Sequence, residues 1–149
     1  MKQTPAETLY NQDFVLWVED TVKQLKEGNF RDIDWENLIE EVESLGGRDK
    51  RELEGRLTTL FEHALKRRFV PLLDCYRGWE NTIKRTQKDL KKLLRDSPSL
   101  QNYLLKMLVE CYADALDNLI NEYDVDFPDV CPFSQDLDVL LNDKFWEKV

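Results

Sequence analysis

The stretch Cys75–Arg95, CYRGWENTIKRTQKDLKKLLR, decides the fold class. Wound at ~100° per residue, Trp79, Ile83, Leu90, Leu93 and Leu94 share one side of a helix. Lys84, Arg85, Lys88, Lys91, Lys92 and Arg95 occupy the opposite half of the wheel. A strand would alternate at every second residue, and this stretch does not. The separation predicts an amphipathic helix with one side in a core and a cationic side in water.

Earlier segments repeat the helical period. Tyr10, Phe14, Trp17, Thr21 and Leu25 recur at spacings of three and four. Thr4, Pro5 and Glu7 read as the capping box of that first helix, and Gly28-Asn29 as its end. Asp32 or Asp34 is expected to cap a second, short helix whose inward side is Trp35, Leu38, Ile39, Val42 and Leu45. Gly46-Gly47 is expected to stop it in a tight helical hairpin. Leu53, Leu57, Leu60, Phe61 and Ala64 carry a third helix, closed by Pro71. After the cationic helix, Ser97-Pro98 is expected to open a fifth, with Leu100, Leu104, Met107, Leu108, Cys111 and Ala115 on one face. Residues 123–149 have little periodicity and read as a strap, with Ser134 capping a short helix through Leu137, Leu140 and Leu141. The expected fold is therefore all-α: a compact antiparallel bundle of about five main helices with an irregular C-terminal strap, in a single domain over 1–149. Trp17, Trp35, Trp79, Leu57, Leu60, Ile83 and Leu108 are its expected core.

At 149 residues, 42% of them hydrophobic and 11% aromatic, the chain has enough apolar surface for a core. Its net charge is −9, yet it is sorted along the chain. Residues 66–95 carry ten Lys or Arg against three Asp or Glu, while both flanks are acidic. That pattern favours self-complementary assembly or an anionic partner and argues against nucleic-acid binding by the whole surface. Three widely spaced cysteines, an odd number, fit a reducing compartment better than a disulfide framework. The N-terminus lacks the apolar run of a signal peptide, and no apolar run approaches the ~20 residues that span a bilayer. A cytoplasmic protein without membrane contact is expected.

One block is distinctive. Asp34-Trp35-Glu36-Asn37-Leu38-Ile39-Glu40-Glu41-Val42-Glu43-Ser44-Leu45-Gly46 follows Tyr10, Asp13, Phe14 and Trp17. Farther on come Leu53, Arg56, Leu57, His63, Leu65 and Lys66, then Trp79, Ile83, Asp96-Ser97-Pro98-Ser99-Leu100, Phe127-Pro128 and Cys131-Pro132. Together they resemble domain-of-unknown-function family twenty-nine, small bacterial proteins abundant in cyanobacteria. The resemblance implies a compact helical fold and no established activity, substrate or cofactor. Relatives often carry an aromatic near position 68, where this chain has Arg67-Arg68-Phe69.

Chemistry-bearing residues are few. His63 is the only histidine and sits at the edge of its apolar stripe with Arg56. If a hairpin folds at Gly46-Gly47, Glu43 approaches both, and Glu43, Arg56 and His63 form a polar cluster. Its structural reading, a satisfied helix crossing, outweighs a catalytic or metal-binding one. A helical di-metal site needs Glu-x-x-His pairs, and position 60 is Leu60. No two cysteines are close enough in sequence for a zinc motif, and none of the five glycines forms a phosphate loop. No metal and no cofactor are expected.

The preferred functional reading is a non-enzymatic protein-interaction or self-associating domain, a homodimer or a binder of an unidentified protein. Its motives are the broad apolar surface of the fifth helix and the opposed charges of fourth helix and strap. The first alternative is weak nucleic-acid binding through Lys84, Arg85, Lys88, Lys91, Lys92 and Arg95, although no aromatic side chains interleave them. The second is an enzyme using the Glu43, Arg56 and His63 cluster.

Overall fold

Asp13 interrupts the first amphipathic run. In the computed structural model, which describes residues 8–147, α1 spans Leu9–Gln12 and α2 spans Phe14–Glu27. Asp13 is extended between them, and its carboxylate accepts the Leu16 amide at 3.1 Å. An aspartate that satisfies a first-turn amide competes with helix continuation. The single helix expected here is therefore two. Thr4, Pro5 and Glu7, the expected capping box, lie outside the described residues. Gly28 ends α2 with φ 78°, the left-handed conformation that its position predicts.

A 3-10 turn, Phe30–Asp32, leads into α3, Trp35–Phe69. Asp34 caps it as expected, accepting the Asn37 amide at 3.3 Å and the Asn37 side chain at 2.7 Å. The helix then runs through Gly46-Gly47 without a break, so the expected second and third helices are one. Among the described residues only Gly28 has positive φ; the paired glycines stay helical. Two helical glycines cost about 2 kcal/mol relative to alanine, which flanking Glu, Leu, Lys and Arg can offset. Pro71 follows the end of α3 as predicted.

Packing divides the chain into two compact units, Met1–Gly47 and Arg48–Val149. In the second, α3 continues to Phe69, followed by α4, Tyr76–Asp96, α5, Leu100–Ile120, and α6, Leu137–Asn142. The fold is an all-α bundle, with no strand among the described residues. Leu57, Leu60 and Phe61 of α3, Ile83 and Leu90 of α4, and Leu104, Cys111 and Leu119 of α5 form its core. Two starts shift by a few residues. Helix α5 opens after Ser99 instead of Ser97-Pro98, and α6 is capped by Asp136, which accepts the Asp138 amide at 2.9 Å. Ser134 supports that cap by accepting the Asp136 amide at 3.0 Å.

Residues after α5 are held by specific contacts. The Tyr112 hydroxyl donates to the Pro128 carbonyl at 2.5 Å. Gln87, buried on α4, donates to the Leu140 and Asp143 carbonyls at 2.8 and 3.0 Å. Those carbonyls end α6 and have no intrahelical donor, so Gln87 supplies what the helix terminus lacks.

Trp35 corrects the expected core: it is 45% exposed, whereas Trp17 and Trp79 are 5% and 9% exposed. The Trp35 indole Nε1 donates to the Phe30 carbonyl at 2.9 Å, which holds the side chain against the preceding 3-10 turn. Trp79→Ala should therefore lower stability by about 3–5 kcal/mol. Trp35→Ala should cost only about 1–1.5 kcal/mol, the worth of one hydrogen bond and partial burial. Urea unfolding followed by far-ultraviolet circular dichroism distinguishes them, and equal losses would contradict the placement of Trp35.

Candidate functional site

In the N-terminal unit, the break at Asp13 folds α1 back over the start of α2. Tyr10 thereby meets Trp17 edge-on, with ring centroids 4.9 Å apart, and Phe14 packs against both. The Tyr10 hydroxyl donates to the Glu41 carboxylate, which ties α1 to α3. That bond to an anion pushes the phenol up to about 12, because ionising Tyr10 would set two negative charges together.

Between these elements lies a cleft of about 680 Å³. Trp17, Thr21 and Ile33 are its buried residues, and Asp20, Asp32, Asp34 and Glu36 supply carboxylates. Among the described residues, no lysine or arginine lines it. Trp17 is 5% exposed, yet its Nε1 has no hydrogen-bond partner among the described residues. Gln24 presents a second covered atom without a partner, Oε1, while its Nε2 donates to Asp20 at 2.8 Å. Thr21, between them, donates to the Trp17 carbonyl at 2.7 Å. Sequence reasoning treated Trp17 and Thr21 as plain core. The available signal was the polar pair Thr21 and Gln24 set beside Trp17 on one face of α2.

The same unit leaves apolar side chains in solvent. Phe14, Val18, Val22 and Leu25 are exposed along α2. On α3, Ile39, Val42 and Leu45 are 54%, 58% and 56% exposed and continue the stripe begun by Trp35. Glu36, Glu40 and Glu43 are exposed on the same segment, and residues 34–47 contain no Lys or Arg. The predicted stripe is present, but none of the described residues covers it.

The expected polar cluster depended on a hairpin that the continuous α3 lacks. Glu43 and Arg56 share one helix, thirteen residues and thus more than three turns apart. Arg56 instead pairs with Glu52 at 3.4 Å and with Asp89 of α4 at 2.8 Å. His63 Nδ1 donates to the Thr59 carbonyl at 2.9 Å, one turn back on α3. Arg67 donates to Glu80 at 2.8 Å and lies over the Tyr76 ring, 3.9 Å from its centroid. Among the described residues no group of three or more His, Cys, Asp or Glu is arranged to hold a metal ion. Cys111 and Cys131 are pushed up by burial, which disfavours the thiolate a nucleophile needs.

Lys84, Arg85, Lys88, Lys91, Lys92 and Arg95 are all exposed, as their positions on the wheel predict. Lys91 reaches Asn142 at 3.1 Å, so the acidic C-terminal segment lies beside this face in the same chain. No described helix is long and apolar enough to cross a membrane.

A family model described as domain of unknown function DUF29 matches residues 9–146, and the chain belongs to that family. No curated protein and no solved structure matches it.

Burial lowers the His63 pKa from its ordinary value of 6.5, with the Lys66 charge adding to the effect and the Thr59 hydrogen bond opposing it. The unfolded chain then binds the proton more readily, so stability is lost as pH falls from 6.5 toward the folded value. As the only histidine, its Cε1 proton resonance should titrate with a midpoint below 6.5. His63→Gln, uncharged throughout, should lose less stability than wild type across that window in urea titrations. A midpoint at or above 6.5 would show a solvated ring.

Proposed function

We propose that this member of the DUF29 family is a non-enzymatic protein-interaction domain that works in the cytoplasm. The observation that carries the reading is the uncovered stripe of Trp35, Ile39, Val42 and Leu45 beside Glu36, Glu40 and Glu43. Burying a side chain of this size contributes about 1.5–3 kcal/mol when burial is complete. Exposed apolar patches rimmed by polar groups mark protein-binding surfaces. The glutamates choose the occupant. A protein segment whose apolar side chains are flanked by Lys or Arg satisfies both features, as amphipathic helices do in grooves. Three free cysteines and the lack of a spanning helix among the described residues support the compartment.

A second copy is a poorer occupant. Pairing the same stripe in two chains sets carboxylate against carboxylate with no cation to relieve them, which disfavours association. The basic face of α4 in another copy offers charge, but its Leu90 and Leu94 are buried and cannot meet the stripe.

A synthetic helix-forming peptide with leucines at spacings of three and four and lysines elsewhere tests this in calorimetry. Binding should be micromolar, about −8 kcal/mol, and should weaken as salt rises. Ile39→Ser with Val42→Ser, both at exposed positions, should weaken it at least about tenfold, a loss of ~1.4 kcal/mol or more. Equal binding by that variant, or by a peptide with glutamate in place of lysine, would overturn the reading. So would a tight dimer in sedimentation that the same substitutions dissociate.

A further inference from the structure

We propose that the cleft of the N-terminal unit binds a basic residue within an extended peptide, an inference that rests on the protein-interaction reading and gives it a specific site. Three features of the cleft select this ligand. The first is charge: Asp20, Asp32, Asp34 and Glu36 line a concave surface to which the described residues bring no Lys or Arg, so the field there favours a positive group and repels an anion. Asp34 is occupied by the α3 cap, whereas Asp20, which accepts from Gln24 through one oxygen, and Asp32 are exposed.

The second feature is the unpaired Nε1 of Trp17, on a side chain that is 5% exposed and lines the cleft. A buried donor left unsatisfied carries a desolvation penalty that a bound acceptor would relieve. A bare metal cation cannot supply an acceptor to an N–H, so the ligand must combine positive charge with an oxygen. The third feature is Gln24 Oε1, also covered and unpaired. It needs a donor. Trp17 and Gln24 are seven residues apart on the same face of α2, about 10 Å of helix rise. Three extended peptide residues span a similar length, about 10 Å. A peptide laid along α2 offers a carbonyl to Trp17, an N–H to Gln24, and a Lys or Arg side chain to Asp20 and Asp32.

The probe is the blocked tripeptide acetyl-Gly-Arg-Gly-amide, with acetyl-Gly-Gln-Gly-amide as its uncharged control, added to the full-length protein labelled with nitrogen-15. The chain has four tryptophans, and Trp17→Phe identifies the Trp17 indole cross-peak by its loss. The arginine peptide should move that peak saturably and to higher proton frequency, as a new hydrogen bond requires. The glutamine control should bind at least about fivefold more weakly, consistent with an exposed charge pair worth up to ~1 kcal/mol. Asp20→Asn with Asp32→Asn, two surface changes, should weaken the arginine peptide by a similar factor while leaving the far-ultraviolet spectrum unchanged.

An unmoved or unsaturable Trp17 peak overturns the proposal, as does equal binding of the two peptides or indifference to the asparagine substitutions. The two readings fail separately. If the leucine–lysine peptide still binds through Ile39 and Val42 while the arginine peptide leaves Trp17 unmoved, only the cleft site is lost. If the arginine peptide moves Trp17 but the leucine–lysine peptide ignores Ile39→Ser and Val42→Ser, the cleft stands and the stripe is not the docking surface.

Discussion

The C-terminal unit closes around Phe61. Its ring, fully buried on α3, meets Tyr112 of α5 edge-on at 5.8 Å and stacks on Phe133 at 6.2 Å. Phe133 in turn meets Phe145 at 5.2 Å, and Phe145 meets Trp146 at 5.7 Å. One chain of aromatic contacts thus joins two long helices to an irregular segment that has little helical propensity of its own. Without this anchor, residues after α5 would have no reason to prefer one path over the bundle. Aromatic pairs contribute about 0.5–1.5 kcal/mol each beyond the area they bury, and here they act together with the Gln87 clamp.

The N-terminal unit obeys a different balance. A segment of this length cannot bury most of its apolar surface by itself. Trp17, Thr21 and Ile33 are covered and Leu38 is half-buried, while most other apolar side chains on α2 and on the first part of α3 stay in solvent. Local devices give the unit its form: the Asp13 and Asp34 caps, the left-handed Gly28, the Trp35 bond to Phe30 and the Tyr10 bond to Glu41. Such a unit presents a shaped surface at low cost in core.

Charge is used in two ways along the chain. On α4 the cations face water beside the acidic segment that follows α5, and Arg56, Arg67 and Lys66 are spent inside the C-terminal unit on Asp89, Glu80 and the Trp79 ring. The pairs Arg56–Asp89 and Arg67–Glu80 are partly exposed and contribute about 0–1 kcal/mol each. They set which helix faces meet more than they hold the fold together. Among the described residues that line the N-terminal cleft or share the stripe's segment, carboxylates stand without Lys or Arg, which is the observation behind the proposed basic partner.

By itself the sequence determined the helices, their apolar faces and most of the true core. Trp17, Leu57, Leu60, Trp79, Ile83 and Leu108 were readable because period and composition report which side of a helix avoids water. It also showed the Gly28 stop and the Pro71 end, where the signal is local. It did not show that Gly46-Gly47 stays helical, since a glycine pair permits either outcome and the context of the whole helix decides. That one difference removed the hairpin on which the expected cluster of Glu43, Arg56 and His63 was built. Nor does hydrophobic period say whether another element arrives to cover a face. Trp35, Ile39, Val42 and Leu45 carry the pattern of a core stripe, and only the tertiary structure decided that they remain uncovered. The orphaned Trp17 Nε1 is likewise a property of three-dimensional surroundings: a sequence names the donor, and packing alone determines whether an acceptor stands in front of it.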